Sequence, residues 1–301
     1  MSVIKSYSVG NGDMFYIKHG TDNFSIIDCN LDDSNKEDIV SEIKEEKKDK
    51  EITRFISTHP DQDHLSGLKY LDEQIDIRNF YCVKNSAIKE DETEDFEHYR
   101  KLRDGDVHYY IYKGCRRKWI NMSNEKDPKD HGCAGINCLW PDEKNESFKN
   151  ALDLAEKGEA YNNLSPVLTY SLNDGVTVMW MGDIEKEFLE DIKSEIDWPE
   201  IDILFAPHHG RNSGKVPSDV LKKLNPSLVI IGEAPSKYIN YYEGYNTITQ
   251  NSTGNIVFHC ESGWVHIYIA NESYNYDKSF LTDKKQSNDS YGHYIGSLET
   301  K

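Results

Sequence analysis

The stretch Thr58-His59-Pro60-Asp61-Gln62-Asp63-His64-Leu65 decides how this chain is read. It follows directly on residues 52–57 (Ile-Thr-Arg-Phe-Ile-Ser), a β-branched, apolar run that reads as a buried strand. Four side chains that bind divalent cations, His59, Asp61, Asp63 and His64, fall within six residues at the carboxyl end of that strand. In α/β sheets ligand sites gather at that end. The loop spacing lets His59 and Asp61 project to one point and Asp63 and His64 to a neighbouring one. Two divalent ions about 3.5–4 Å apart need such a donor set, since imidazole and carboxylate are ligands these ions take.

Outward from this loop the chain reads as alternating strands and helices. Residues 3–9, 14–19 and 24–28 are three short strands separated by turn chemistry at Asn11-Gly12 and at Gly20-Thr21-Asp22-Asn23. Asn11-Gly12-Asp13 reads as a plain hairpin turn; a phosphate-cradling loop would need a following helix and a Lys. Residues 35–48 form a charged amphipathic helix with Ile39, Val40 and Ile43 inward. A short helix is expected over 65–71. Periodicity fails over 85–132, which carries an acidic run, an aromatic strand-like segment at 108–112 and the basic triplet Arg116-Arg117-Lys118. A stretch of that length reads as a lid, binding insertion or protein-docking surface. Arg116 and Arg117, flanked by Tyr109, Tyr110, Tyr112 and Trp119, could grip a phosphate backbone with stacking aromatics, or could form a solvated strand edge.

Further along, residues 135–140 are a strand and 142–160 a polar segment, and 167–172 with 176–181 make a hairpin across Asn173-Asp174-Gly175. A helix (184–196), a strand (201–206), a helix (217–224), a strand (228–232) and a final hairpin (255–260, 264–270) complete the plan. Residues 271–301 are rich in Asn, Ser, Tyr and Asp and read as a loosely held polar tail. The expected organisation is one domain over 1–270, with an insertion at about 85–132, followed by that tail.

Two later segments repeat the form of an apolar strand stopping at ligand residues. Met179-Trp180-Met181-Gly182-Asp183 presents one carboxylate, which could bridge two ions or simply cap the following helix. Leu204-Phe205-Ala206-Pro207-His208-His209-Gly210 adds adjacent imidazoles. Neighbouring residues point in different directions, so one of His208 and His209 is expected to coordinate and the other to face substrate.

Composition sets outer bounds. Fifty-three acids against thirty-five bases give a formal charge of −18, which disfavours a protein that coats duplex DNA through a basic surface. It leaves room for an enzyme that handles nucleic acid in one local cleft. The apolar runs are strand-sized, well short of the about 20 residues a membrane-spanning helix needs. The first residues lack the apolar core of a secretory signal. The six scattered cysteines do not look like a disulfide framework. A cytoplasmic protein is expected.

His59-Pro60-Asp61-Gln62-Asp63-His64 resembles the HxHxDH signature of the metallo-β-lactamase superfamily, with Asp61 in place of the second His. Gly182-Asp183 and His208 match its later motifs in order. The likeness is closer to one branch, the soluble hydrolase domain of the ComEC-type competence proteins and its free-standing relatives. It is similar at Val9-Gly10-Asn11-Gly12-Asp13, Ile26-Ile27-Asp28, Asn162-Asn163-Leu164-Ser165, Met181-Gly182-Asp183-Ile184-Glu185 and Pro207-His208-His209-Gly210. It spans about residues 3–270, broken over 85–132.

The resemblance implies an α/β (α+β) chain folded as a four-layer αββα sandwich with metals at one edge. It implies His59 and Asp61 on one ion, Asp63, His64 and His208 on the other, Asp183 bridging, and Asp28 orienting the first loop. Many members supply a further His where Asn162 or Asn163 stands here. An amide is a poor zinc ligand, so the first site is either weak or prefers a harder ion such as Mn²⁺ over Zn²⁺. The expected activity is a dinuclear metal-dependent hydrolase, a phosphodiesterase or nuclease acting on nucleic acid or a nucleotide. Asp63 and His209 are the catalytic candidates, His209 holding charge that develops on the substrate. A lactone or thioester hydrolase and a catalytically silent metal-binding module are the alternatives.

Overall fold

The computed structural model describes residues 1–124, 126–275 and 279–301. The first half runs β1 (Ser2–Ser6), β2 (Phe15–Lys18), β3 (Asn23–Ile27), α1 (Lys36–Glu46), β4 (Ile52–Ile56), α2 (Gln62–Leu65), α3 (Leu68–Ile75), β5 (Phe80–Cys82), α4 (Glu94–Asp104) and β6 (His108–Tyr110). Next come β7 (Ile136–Trp140), α5 (Glu146–Glu156), β8 (Val167–Ser171), β9 (Thr177–Trp180), α6 (Lys186–Ile192), β10 (Ile203–Phe205) and α7 (Ser218–Leu224). The chain finishes with β11 (Leu228–Ile231), β12 (Thr247–Thr249), α8 (Gln250–Thr253), β13 (Ile256–Glu261), β14 (Trp264–Ile269) and β15 (His293–Glu299). The strands form a nine-stranded sheet, β15-β14-β13-β1-β2-β3-β4-β5-β6, and a six-stranded sheet, β12-β11-β10-β9-β8-β7.

The sheets meet face to face through aromatic side chains. Phe15 of β2 lies 4.8 Å from Phe205 of β10 and 6.1 Å from Trp180 of β9, ring to ring, and Phe205 lies 5.9 Å from Phe258 of β13. Helices cover the outer faces. Phe80 of β5 stacks on Phe55 of β4 and meets Tyr99 of α4. Trp140 of β7 meets Phe148 of α5 and Phe188 of α6. Each such fully buried side chain stabilises by about 1.5–3 kcal/mol, and together they give the expected four-layer αββα sandwich. The parallel pairs β3–β4 and β9–β10 send their carboxyl ends toward one edge, and the candidate ligands leave from there.

Three stretches are more ordered than their sequence suggests. Within the segment 85–132, residues 94–104 form α4, whose Thr93 cap accepts from Phe96 N at 3.2 Å. Its inward stripe of Phe96, Tyr99 and Leu102 includes Arg103, which bonds Asp104 at 2.7 Å and so hides the apolar period. β6 extends the sheet at β5; Glu125 of this segment lies outside the described residues. The polar segment 142–160 contains α5, where Asn145 accepts from Phe148 N at 3.0 Å and Phe148, Ala151 and Ala155 are buried. The expected loose tail is corrected most clearly. Its residues 293–299 are β15, antiparallel to β14, with Ile295, Ser297 and Leu298 buried. The Ser297 hydroxyl meets His266 Nδ1 at 2.6 Å, so a polar strand is satisfied inside the sheet. Residues 276–278 of that stretch lie outside the described residues. Among the described residues no helix is long and apolar enough to cross a membrane.

Candidate metal centre

β3 ends in Asp28, which is buried with φ of 54°. A left-handed backbone strains L-residues by about 1–2 kcal/mol, and Asp is one of the few that adopt it occasionally, through local hydrogen bonds of its short side chain. Its carboxylate is held by three groups: Thr58 N at 2.7 Å, Thr58 Oγ1 at 2.6 Å and His64 Nδ1 at 2.8 Å. With the His64 Nδ1–H committed to Asp28, Nε2 is turned away from it and toward Asp183, 3.3 Å off. His59 is set the same way. Its Nδ1 lies 3.0 Å from Thr58 Oγ1, whose own hydrogen goes to Asp28, and 3.2 Å from Ser165 Oγ. His59 Nε2 then stands 3.7 Å from Asp61 Oδ2 and 3.9 Å from Asp183 Oδ2.

Asp183 follows Gly182, whose φ of 50° turns β9 out of the sheet. A Cβ at Gly182 would lie 2.5 Å from Ser165 Oγ and 3.0 Å from Thr58 Cβ, so the close crossing of these loops requires glycine. The Asp183 backbone N–H donates to Ser165 Oγ at 3.0 Å. Its carboxylate faces His64 Nε2 and His209 Nε2, each at 3.3 Å, and His208 Nε2 at 3.7 Å.

The loop after β10 is wound tightly: His208, His209 and Gly210 have φ of 53°, 55° and 78°. It is held by His208 N on Gly182 O (3.0 Å), Gly210 N on Pro207 O (3.1 Å) and Asn240 N on Gly210 O (2.8 Å). The two rings diverge at 72°. His209 is buried, with Nε2 also 3.5 Å from Asp63 Oδ2 and Nδ1 3.3 Å from Asp13 Oδ1. The His208 side chain is 14% exposed and its Nδ1 meets Ser213 Oγ at 3.0 Å.

Asp13, His64, Asp183 and His209 each offer a ligand atom, all within 4.8 Å of one another. Nε2 of His59, His64 and His209 and Oδ1 of Asp183 are buried without a hydrogen-bond partner. An unsatisfied buried polar group costs about 1–3 kcal/mol. Four of them around one point, all of them metal-ligand types, fit a divalent cation.

The charges agree. Burial opposes ionisation of the His64 ring, but Asp183 and Asp28 outweigh it and hold it well above the usual histidine range. Asp183 and Asp13 do the same for His209. Burial likewise opposes the Asp183 charge, yet His209 and His64 hold that carboxyl well below its ordinary value. Asp63 is held at about 2 against its own burial, mainly by the His209 ring, whose Nε2 stands 3.5 Å away. Burial and His64 keep His59 well below the usual range, and burial lowers His208. The carboxylates thus draw protons onto His64 and His209, and a divalent cation can replace that positive charge.

Of the other residues singled out in the sequence, Asp61 lies at the cluster's edge, where Lys89 Nζ stands 3.5 Å from its Oδ1. Asn163 braces the site from behind: its Oδ1 accepts Glu185 N at 3.0 Å and its Nδ2 donates to Glu185 at 2.9 Å. Asn162 accepts Ser165 N through its carbonyl at 3.1 Å. Arg116 and Arg117 are not brought to the cluster by any bond among the described residues; the Arg117 guanidinium sits 3.1 Å from the centre of the Tyr109 ring in β6.

Sequence reasoning missed Asp13, Lys89, Arg211, Ser165, Thr58 and Ser213. Asp13 was visible inside the Val9–Asp13 motif, but the strong Asn-Gly turn signal absorbed it. Lys89 Nζ lies over the Phe96 ring at 5.2 Å and the Tyr161 ring at 5.1 Å. On the other side the Arg211 guanidinium bonds the Asn11 side-chain oxygen, and Asn11 Nδ2 reaches Asp63 Oδ2 at 3.4 Å.

The family model of the metallo-beta-lactamase superfamily matches residues 7–135, which carry β2 to β6 and the 59–64 loop. The match covers less than half of the chain, and the two-sheet sandwich that carries it is of metallo-β-lactamase type, with the donor cluster as its candidate metal centre. No curated protein matches the sequence. A metallo hydrolase from the hyperthermophilic archaeon Ignicoccus hospitalis is similar in structure at 14% identity and a TM-score of 0.46, over 85% of this chain and 99% of that one. A long form RNase Z from yeast is similar at 11% identity and a TM-score of 0.42; the match covers 82% of this chain and 40% of the RNase Z.

Proposed function

We propose that this protein is a dinuclear metal-dependent phosphodiesterase that cleaves a nucleic acid or a nucleotide with Zn²⁺ or Mn²⁺. His59, Asp61 and Asp183 would hold one ion, and Asp63, His64, His209 and Asp183 the other. Bound there, the ions would supply Lewis acidity and lower the pKa of a water they share. The chain's own residues orient the donors. Asp28 takes the Nδ1–H of His64 and Asp13 that of His209, keeping each Nε2 forward. His208, with the Ser213 hydroxyl on Nδ1, would carry its proton on Nε2 and donate it as a hydrogen bond to a phosphoryl oxygen.

This assignment exchanges the roles that the resemblance implied for His208 and His209. Supporting it are the burial of His209 and its 3.3 Å and 3.5 Å approaches to Asp183 and Asp63. The observation that carries the substrate class is the oxygen-rich centre flanked by Lys89 and Arg211. Two fixed cations beside carboxylates favour an anionic substrate over a neutral ester. The likeness of the 59–64 loop to the ComEC-type branch supports the same class.

Protein reconstituted with Mn²⁺ is expected to hydrolyse bis-p-nitrophenyl phosphate, and Asp183→Asn to abolish this while the circular dichroism spectrum is kept. Turnover of lactones or thioesters without phosphodiester cleavage would overturn the substrate class. Tight metal binding with no turnover on any of these would overturn the enzymatic reading.

A further inference from the structure

A second chemically distinct place lies on the six-stranded sheet, where the chain leaving β6 passes along the edge strand β7. Lys113 N donates to Pro141 O at 2.7 Å and Gly114 N to Cys138 O at 2.9 Å. The next residue, Cys115, is thereby laid beside Cys138. Cys138 is buried and Cys115 half-buried. Both line a cavity of about 480 Å³ at this edge, with Lys113, Arg116, Asn121 and Asp197 on its walls. Cys133, the other half-buried thiol, is engaged elsewhere, its Sγ accepting Gly135 N at 3.2 Å.

We propose that Cys115 and Cys138 form a redox couple in which a hydroperoxide entering the cavity converts the thiol pair into a disulfide. The Cys115 thiolate attacks one peroxide oxygen, the O–O bond breaks, and the departing oxygen leaves as hydroxide or alkoxide that takes up a proton. Cys115 is then a sulfenic acid. Cys138 sulfur attacks the Cys115 sulfur, the S–O bond breaks, and the Cys138 proton leaves with the hydroxyl as water. Two thiols are oxidised by two electrons and one peroxide is reduced.

The two sulfurs are suited to different halves of this sequence. The neighbouring Cys138 side chain is the main reason the Cys115 thiol is held down to about 6, despite partial burial. Burial pushes Cys138 well above the ordinary thiol value. Cys115 is therefore the accessible thiolate that meets the oxidant. Cys138 stays a thiol until a sulfenic acid forms beside it, its S–H donating meanwhile to the Trp140 carbonyl at 2.9 Å.

The test is treatment of the full-length protein with hydrogen peroxide, followed by intact mass and non-reducing peptide mapping. The expected product is lighter by two hydrogens, carries a peptide linking Cys115 to Cys138, and returns to the starting mass with dithiothreitol. Cys138→Ser should stop at a Cys115 sulfenic acid trapped by dimedone, and Cys115→Ser should give neither product. Unlinked sulfinic acid at Cys115 in the unsubstituted protein, equal oxidation of Cys115 and Cys133 without linkage, or retention of all six thiols would each overturn the proposal.

Discussion

Replacing Asp28 by Asn isolates the part that orientation plays in the candidate metal centre. The side chains are nearly isosteric, so Oδ1 can still accept Thr58 N, now held at 2.7 Å. The new amide hydrogens then face Thr58 Oγ1 and His64 Nδ1, which both donate to the carboxylate, at 2.6 Å and 2.8 Å. Thr58 can rotate its hydroxyl. His64 can only move its proton from Nδ1 to Nε2, and Nε2–H cannot ligate a cation. Loss of a group that orients a metal-bound histidine weakens metal binding by about 10- to 100-fold, which is about 1.4–2.8 kcal/mol. The assay is Mn²⁺ titration by calorimetry, with the metal-free melting temperature as control. The expected result is weakened binding with the metal-free fold retained. Unchanged affinity beside a lowered melting temperature would mean that Asp28 merely fastens the loop, and the tautomer argument would be wrong.

Lys89→Met removes a cation 3.5 Å from Asp61 while keeping a side chain of similar length between Phe96 and Tyr161; the expected effect is about a tenfold rise in KM on an anionic substrate with kcat little changed, since the lost contact binds ground and transition states alike. Gly182→Ala forces a Cβ into Ser165 and a side chain into left-handed backbone, at about 1–2 kcal/mol for the backbone alone, read as a fall in melting temperature and in metal affinity together. Ending the chain before residue 290 strips β15 from β14 and leaves an open strand edge; light scattering should then show association, and a stable monomer would argue against a structural role for β15.

The legible parts of the sequence are those where chemistry is dense. Four ligand-type residues in one six-residue loop, and Gly-Asp and His-His at two strand ends, stand out against apolar strands, and these are the residues the structure gathers around Asp183. Legibility failed where the signal was conformational. Which of His208 and His209 is buried against Asp183 depends on φ values that no residue pattern encodes. Asp13 was hidden by the turn signal of its neighbours. In α4 a buried, ion-paired Arg103 broke the stripe, and in β15 four consecutive buried positions left no period of two. Arg116 and Arg117 form no bond to the cluster among the described residues, and the Arg117 guanidinium lies instead over the Tyr109 ring, a pairing that sequence alone does not reveal.

Two successive histidines wound against their natural handedness, His208 and His209, with Gly210 continuing the turn freely, give the His-His tip a particular mechanical character. Such a coil stays closed only while its restraints hold, and the first of these is the bond to the carbonyl of Gly182, next door to Asp183. Slackening there would let both imidazoles swing away together instead of one at a time. The two rings therefore behave as a single moving part, and damage on the β9 side should disarm the tip without touching either histidine.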